Sequence, residues 1–342
     1  MATIRDVARL AQVSPTTVSR VLNGRLIVRQ ETEERVWAAV TALGYQPDGS
    51  ARALVTGKTA AIGVIVRDIC DPFFAPIVQG VTSIAHAHDY SAFLCNLSAD
   101  PQRAFYLGLV HGKRVDGVIV ATSHIPDEQV DLMRKEGVPL VLVNRRMEGV
   151  PSICTDNERG GYQVTRHLIE LGHRRIAYLG APPYVQSGVG RRLGYERALG
   201  ERDLAPDPAW VVVEENNADG GYRAALTILS QSERPTAFFA YDDVMAIGAL
   251  RAVQERGLRV PADVAVAGYD DIPLAAHVFP PLTTVRQAMQ TMGTRAMEML
   301  IALMRGEELA EPEVVLQPQL IVRRSTWGGS PSAADGEGAS NR

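Results

Sequence analysis

The chain has 342 residues, 46% of them hydrophobic, an ordinary globular composition that predicts two or three domains. No apolar run approaches the roughly 20 residues a membrane span needs, and the N-terminus lacks the apolar core of a signal peptide. A net charge of −4 and a pI near 6.0 argue against nucleic acid for the chain as a whole, yet residues 1–58 hold eight basic against five acidic residues, a local excess of +3.

The first elements are short helices. Thr3 with Asp6 three residues on forms a capping signature, and Ile4, Val7, Ala8 and Ala11 share one helical face. A second helix starts at Ser14-Pro15, buries Val18, Val21 and Leu22 and leaves Thr16, Thr17 and Arg20 outside, until Asn23-Gly24 ends it. A third runs from about Gln30 to Leu43 with Val36, Val40 and Leu43 inward, stopped by Gly44. Two short helices joined by a tight turn, the second headed by small hydroxyl side chains, match either a helix-turn-helix that enters the major groove or a plain helical packing unit.

Residues 46–59, "QPDGSARALVTGKT", read as a linker containing a helix-compatible stretch whose Leu54 has no core nearby. From Ala60 onward, continuous apolar runs ("AAIGVIV", "SAFLCN", "DGVIVA", "PLVLVN", "RRIAYLG", "PTAFFAY", "DVAVAGYD") alternate with helical stretches. That pattern predicts an α/β body with parallel strands buried on both faces. The three cysteines, Cys70, Cys95 and Cys154, are widely spaced and are expected to be buried reduced thiols in a cytoplasmic protein. The Gly/Ser-rich end is expected to be a disordered tail over 327–342.

The stretch "ATIRDVARLAQVSPTTVSRVLNG" followed by "ETEERVWAAVTALGYQP" resembles the headpiece of the LacI family of bacterial transcription regulators. The likeness continues in order through "IGVIVRDICDPFFAPIVQGV", "RVDGVIVA", "HLIELGHRRIAYLG", "FFAYDDVMAIGALRAV" and "GLRVPADVAVAGYDD" to about Arg324. It implies an all-α helix-turn-helix headpiece over 1–46, a hinge over 47–58 and an effector and dimerisation domain over 59–326. The last would resemble periplasmic binding proteins, with two Rossmann-like parallel-sheet lobes and chain crossings near 156–160, 286–289 and 316–320.

By the same resemblance, Pro15, Thr16 and Arg20 would face bases, and Thr3, Ser14, Thr17, Ser19, Asn23 and Arg29 complete the expected DNA-contacting set. Leu54, supported by Ala51 and Arg52, would wedge into the minor groove. Arg29 stands where many members have serine, an exchange expected to weaken the third helix by ~1 kcal/mol. Glu33 stands where arginine is commoner.

In open α/β sheets a ligand sits beyond the carboxyl ends of the strands. Polar and aromatic residues cluster there: Asp68, Phe73 and Phe74, Asn144 and Arg145, Asp242 and Asp243, Asp270 and Asp271. Asp243 and Asp271 read as helix caps. The resemblance assigns Phe73, Phe74, Asp156, Arg191, Asn216, Asp242, Asp270 and Gln287 to an effector pocket. Its carboxylates, amides and aromatic face suit a sugar or sugar derivative, with a nucleobase as the alternative.

Enzyme signatures are missing from the sequence: there is no GxSxG and no HExxH, "GKT" at residues 57–59 lacks the earlier glycine of a phosphate loop, and His86 and His88 are two apart. The expectation is a non-enzyme without cofactor or metal: a homodimeric, cytoplasmic repressor of carbohydrate-use genes, released from a pseudo-palindromic operator by a sugar inducer. The alternatives are a corepressor-dependent repressor of nucleobase type and a solute-binding protein without DNA activity. Ile77, Val81 and Ile84 are candidates for the dimer interface or for core.

Overall fold

A computed structural model of the chain describes residues 2–22, 28–45, 58–97, 108, 112, 114–123 and 125–327. The chain divides into two compact units, Met1–Ala60 and Ala61–Arg342. Asn23, Ala51, Arg52, Leu54 and the tail beyond Trp327 lie outside the described residues.

The first unit is a three-helix cluster. Helix α1 (Ile4–Leu10) opens on a capping box, in which the Thr3 hydroxyl accepts from the Asp6 N–H at 3.3 Å and the Asp6 carboxylate accepts from the Thr3 N–H at 3.0 Å. The chain turns through Gln12, at φ +56°, and Ser14 caps α2 (Pro15–Leu22) by accepting the Thr17 N–H at 3.0 Å. Helix α3 (Gln30–Leu43) starts at Arg29 without any side-chain cap and ends on Gly44 in the left-handed region. The core between them is Val7, Ala8, Ala11, Val18, Val21, Val36 and Ala39. Leu43 was expected inward but is 37% exposed; Ala39, three residues after Val36, takes the buried position because the helix ends one turn past the core.

The second unit carries two parallel sheets. The first sheet has the strand order β11-β5-β4-β3-β1-β2, where β1 is Ala61–Val66, β2 Ser91–Asn96, β3 Gly117–Ala121, β4 Leu140–Val143, β5 Ser152–Thr155 and β11 Glu313–Leu316. Alternate residues of β1 enter opposite cores: Ile62, Val64 and Val66 pack towards α4 (Phe74–Ala87) and α10 (Met289–Met304), Ala61 and Ile65 towards α5 (Asp127–Lys135). This two-sided burial is why the run reads as continuously apolar. At the sheet edge, β2 departs from the expected burial: Phe93 is 50% exposed and Leu94 37%, since an edge strand has a neighbour on one side only.

The second sheet has the order β7-β6-β8-β9, with β6 at Ile176–Gly180, β7 at Val211–Val213, β8 at Ala237–Ala240 and β9 at Ala265–Ala267. Helices α6 (Asn157–Glu170), α7 (Gln186–Gly200), α8 (Ala218–Leu229) and α9 (Asp243–Glu255) cover its two faces. The antiparallel pair β10 (Thr284–Arg286) and β12 (Gln319–Ile321) lies alongside β9 through the bridges Ala267–Thr283 and Asp270–Arg286. The chain therefore passes between the two lobes three times: from β5 into α6, from β10 into α10, and from β11 into β12.

Burial decides one open alternative and corrects one expectation. Ile77 and Val81 are fully buried beneath α10, where a Cβ on Gly80 would stand 2.2 Å from the Gln290 carbonyl oxygen, so they are core residues rather than a dimer surface, and Ile84 packs against the same cluster. Of the three free thiols, Cys95 and Cys154 are buried but Cys70 is exposed.

Candidate functional site

In the first unit, α2 is amphipathic in fact as well as in pattern. Val18 and Val21 are sunk in the core, while Ser14, Pro15, Thr16 and Arg20 are exposed and Thr17 and Ser19 half-buried. The Ser14 and Thr17 hydroxyls lie 2.8 Å apart, so both are partly committed to the cap, whereas Thr16 and Arg20 are on the exposed face. Thr3 is likewise engaged with Asp6, its hydroxyl donating to the carboxylate at 2.7 Å. Arg29 is exposed.

In the second unit, the carboxyl ends of the strands of both lobes converge on a narrow cleft, the position at which open α/β sheets take ligands. From the first lobe come Arg67 and Asp71 after β1, Phe73 and Phe74 at the start of α4, Thr122 and Ser123 after β3, and Asn144 after β4. The second lobe supplies Val185 and Ser187, Arg191 on α7, Asn216 after β7, Tyr241 and Asp242 after β8, and Asp270 after β9. Phe73 and Phe74 meet edge to face at 5.2 Å and give one wall an apolar face.

Arg191 organises the opposite wall. It is 1% exposed, and its guanidinium donates to Asn157 Oδ1 at 3.0 Å, to the Tyr241 carbonyl at 2.5 Å and to Asp270 Oδ1 at 3.2 Å. The Tyr241 and Tyr269 rings flank it, their centroids 4.4 and 3.7 Å from Cζ, so charge, planar donors and aromatic faces are all used. Close approach of α6 and α7 plants it there: a Cβ on Gly161 would stand 2.1 Å from the Arg191 carbonyl oxygen, and one on Gly194 2.0 Å from that of Glu158.

Asp270 occupies a rare backbone conformation, φ +115°, followed by Asp271 at +57°, which costs on the order of 1–3 kcal/mol at a non-glycine position. The turn is held by Asp271, whose carboxylate accepts from Arg286 at 2.7 Å and from Arg323 at 2.6 Å. Asp271 thus anchors the turn to β10 and to the segment after β12 and does not cap a helix. The other expected cap is also displaced by one residue. Asp242 caps α9, accepting the Met245 N–H at 2.7 Å, while Asp243 is buried and accepts from the Thr284 hydroxyl at 2.6 Å and the Ile272 N–H at 2.9 Å.

Burial pushes the Asp242 carboxyl up to about 6, helped by the charge of Asp71 across the cavity. Burial likewise raises Asp270, against the pull of Arg191, and Asp243 lies well above the usual carboxylate range through burial and the neighbouring Asp270. Asn144 Oδ1 and Gln287 Oε1 are buried without a hydrogen-bond partner among the described residues. The cavity lining therefore mixes buried carboxyls and the unpartnered Asn144 Oδ1 with donors, the guanidiniums of Arg67 and Arg191 and the hydroxyls of Thr122, Ser123 and Ser187.

The family model for bacterial regulatory proteins of the lacI family matches residues 3–48, and that for a periplasmic binding protein-like domain matches residues 165–326. The chain is 37% identical over 331 residues to the HTH-type transcriptional repressor PurR of Aliivibrio fischeri (strain MJ11), an alignment that covers 95% of this chain and 98% of that one. This chain belongs to the LacI family. Among solved structures it superposes on the lac repressor dimer bound to operator and the anti-inducer ONPF with a TM-score of 0.84 at 29% identity, covering 95% of this chain and 99% of that one. It superposes on the transcriptional regulator CelR–cellobiose complex with a TM-score of 0.72 at 34% identity, covering 95% and 100%. A helix-turn-helix domain followed by an α/β periplasmic-binding-protein-like domain is thus the fold of this LacI-family member, and these relatives are regulators rather than enzymes.

Within that fold, the expected pocket residues divide. Phe73, Phe74, Asn144, Arg191, Asn216, Asp242 and Asp270 line the cavity. Four others do not. Asp68 folds back onto the Cys70 N–H at 3.0 Å, and Asp156 caps α6 by accepting the Arg159 N–H at 3.0 Å. Gln287 stands behind Asp270, donating to its Oδ1 at 2.6 Å. Arg145 is buried and turned to the Thr122 and Ile125 carbonyls and to Asp127, so its charge braces the loop after β3. Arg67 and Asp71 went unnoticed in the sequence, although their spacing of four, directly after β1, is a signal for the ion pair they form.

Proposed function

We propose that this ligand-responsive LacI-family transcriptional repressor binds its operator as a homodimer through α2, and that its effector is a compact, donor-rich ring molecule of nucleobase type acting as corepressor. The observation that carries the effector class is one cavity that combines groups able to accept hydrogen bonds, Asp242, Asp270 and the unpartnered Asn144 Oδ1, with the apolar edge-to-face pair Phe73–Phe74. Ring N–H donors satisfy such acceptors, a flat heteroaromatic face packs on phenylalanine, and Arg67 is positioned to donate to a ring nitrogen or carbonyl. Kinship weighs the same way, because the aligned sequence relatives are PurR repressors.

The second reading is a sugar or sugar derivative acting as inducer. It is favoured by the likeness to the CelR–cellobiose complex and by the capacity of the same carboxylates to accept from hydroxyls. In both readings the ligand holds the two lobes together and so changes the placement of the paired headpieces. Ligand and DNA binding are then reciprocally linked, typically by 1–3 kcal/mol.

Thermal shift of the intact chain against purine and pyrimidine bases, pentoses, hexoses and disaccharides tests the ligand class, since a specific ligand stabilises by mass action. A mobility-shift assay on the DNA upstream of its own gene tests the sign. A base that raises the melting temperature and tightens the DNA complex supports the proposal. A sugar that raises it and loosens the complex replaces it with the second reading.

A further inference from the structure

Among the described residues, two hydrogen-bonded ties join the lobes. One belongs to the pocket: Arg67, paired with Asp71 in the first lobe, donates from Nη1 to Asn216 Oδ1 at 3.2 Å in the second. The other stands outside it. Gln186, the first residue of α7, accepts the Arg146 N–H on Oε1 at 2.8 Å and donates from Nε2 to the Arg146 carbonyl at 3.1 Å.

A primary amide paired with both main-chain groups of one residue is a two-point contact that fixes orientation as well as distance. It also uses none of the Arg146 side chain. Gln186 and Arg146 are both exposed, so the contact adds nothing to the core, and 40 residues of chain and one interlobe crossing separate them. Without it, the amide and the backbone groups would return to water with little cost to either lobe alone. Its effect falls on the relation between the lobes.

We infer that Gln186 is a positioning residue that clasps the two lobes and sets the ratio of closed to open protein. Arg67–Asn216 and Gln186–Arg146 act at separate points, and only the second leaves the ligand pocket untouched. A population already closed lowers the effector concentration needed to complete closure, because the apparent affinity scales with the competent fraction. That consequence for DNA binding rests on the proposed function; the clasp itself does not.

The test measures the lobe-to-lobe distance by pulsed electron spin resonance in the ligand-free full chain. Spin labels are placed through Lys135→Cys on α5 and Arg251→Cys on α9, in a Cys70→Ser background. Loss of two hydrogen bonds predicts a shift of about tenfold towards the open distance in Gln186→Ala. Gln186→Glu keeps the acceptor but loses the donor and is expected to fall between. Arg146→Ala keeps both main-chain partners and is expected to match the parent. An unchanged distance distribution in Gln186→Ala overturns the inference, as does an Arg146→Ala variant that opens equally. A mobility shift of Gln186→Ala on the upstream DNA then reads the coupling separately, so a distance change without a DNA effect counts against the proposed function and not against the clasp.

Discussion

Arg191 and Asp270 form a buried ion pair at 3.2 Å, with 1% and 8% of their side chains exposed, and the pair joins α7 to the strained turn after β9. Removing one member strands the other in a site with little water, which costs more than the intact pair contributes. Arg191→Met is expected to lower the stability of the second unit by about 3–5 kcal/mol. Arg191→Met combined with Asp270→Asn is expected to recover part of that loss. Urea denaturation of the parent and the two variants measures it; a double variant no more stable than Arg191→Met would place the loss in the tyrosine stacking instead.

The raised Asp242 carboxyl makes stability depend on pH. Its folded value, about 6, lies above the ordinary 3.8, so the folded state holds the proton more tightly than the unfolded chain. Its contribution is therefore fully present below about pH 4 and is lost as pH rises through about 6. Asp242→Asn retains a good cap for α9 while removing the titration. The slope of unfolding free energy between pH 4 and 7 is expected to flatten in that variant.

Gly161 and Gly194 bring α6 and α7 into backbone contact, and Arg191 hangs from that contact. Gly161→Ala drives a Cβ into the Arg191 carbonyl, which has no flexible end to yield. The helices must part, with an expected cost of about 1–3 kcal/mol. Because the guanidinium moves with its helix, the thermal shift produced by whichever base or sugar the screen identifies should shrink as well. A variant destabilised with full ligand response would separate packing from the site.

Much of this architecture is visible in the sequence because continuous apolar runs and amphipathic helices alternate there. β1, β2, β3, β4, β6, β8 and β9 all stand where such runs lie. β5, β10, β11 and β12 carry polar residues within their three or four positions (SICT, TVR, EVVL, QLI) and β7 is only VVV, so none stands out as a continuous apolar run, as the equally short β4, β8 and β9 do. The pocket was less legible. Asp242 and Asp243 are adjacent carboxylates after the same strand, and only the turn of α9 decides that the first caps the helix and faces the cavity while the second is tied to Thr284. Arg145 illustrates the opposite failure: an arginine at a strand end suggests a ligand contact, yet its donors are consumed by carbonyls 20 and 23 residues away, a relation that local pattern does not encode.

The headpiece offers a prediction about caps. Helices α1 and α2 begin with hydroxyl side chains bonded to their first turns, whereas the N-cap of α3, Arg29, makes no side-chain cap hydrogen bond. Glu31 and Glu33 lie in that first turn, where negative charge meets the positive end of the helix dipole, so Glu33 partly offsets the missing cap. Arg29→Ser supplies the absent acceptor and is expected to stabilise the headpiece by ~1 kcal/mol, while Thr3→Ala dismantles the capping box of α1 and is expected to cost a similar amount. Circular dichroism melting of the full chain, following whichever transition Thr3→Ala displaces, measures both. Equal and opposite shifts would mark end-capping as the property that sets headpiece stability; an Arg29→Ser variant that melts with the parent would show that the two glutamates already satisfy the start of α3.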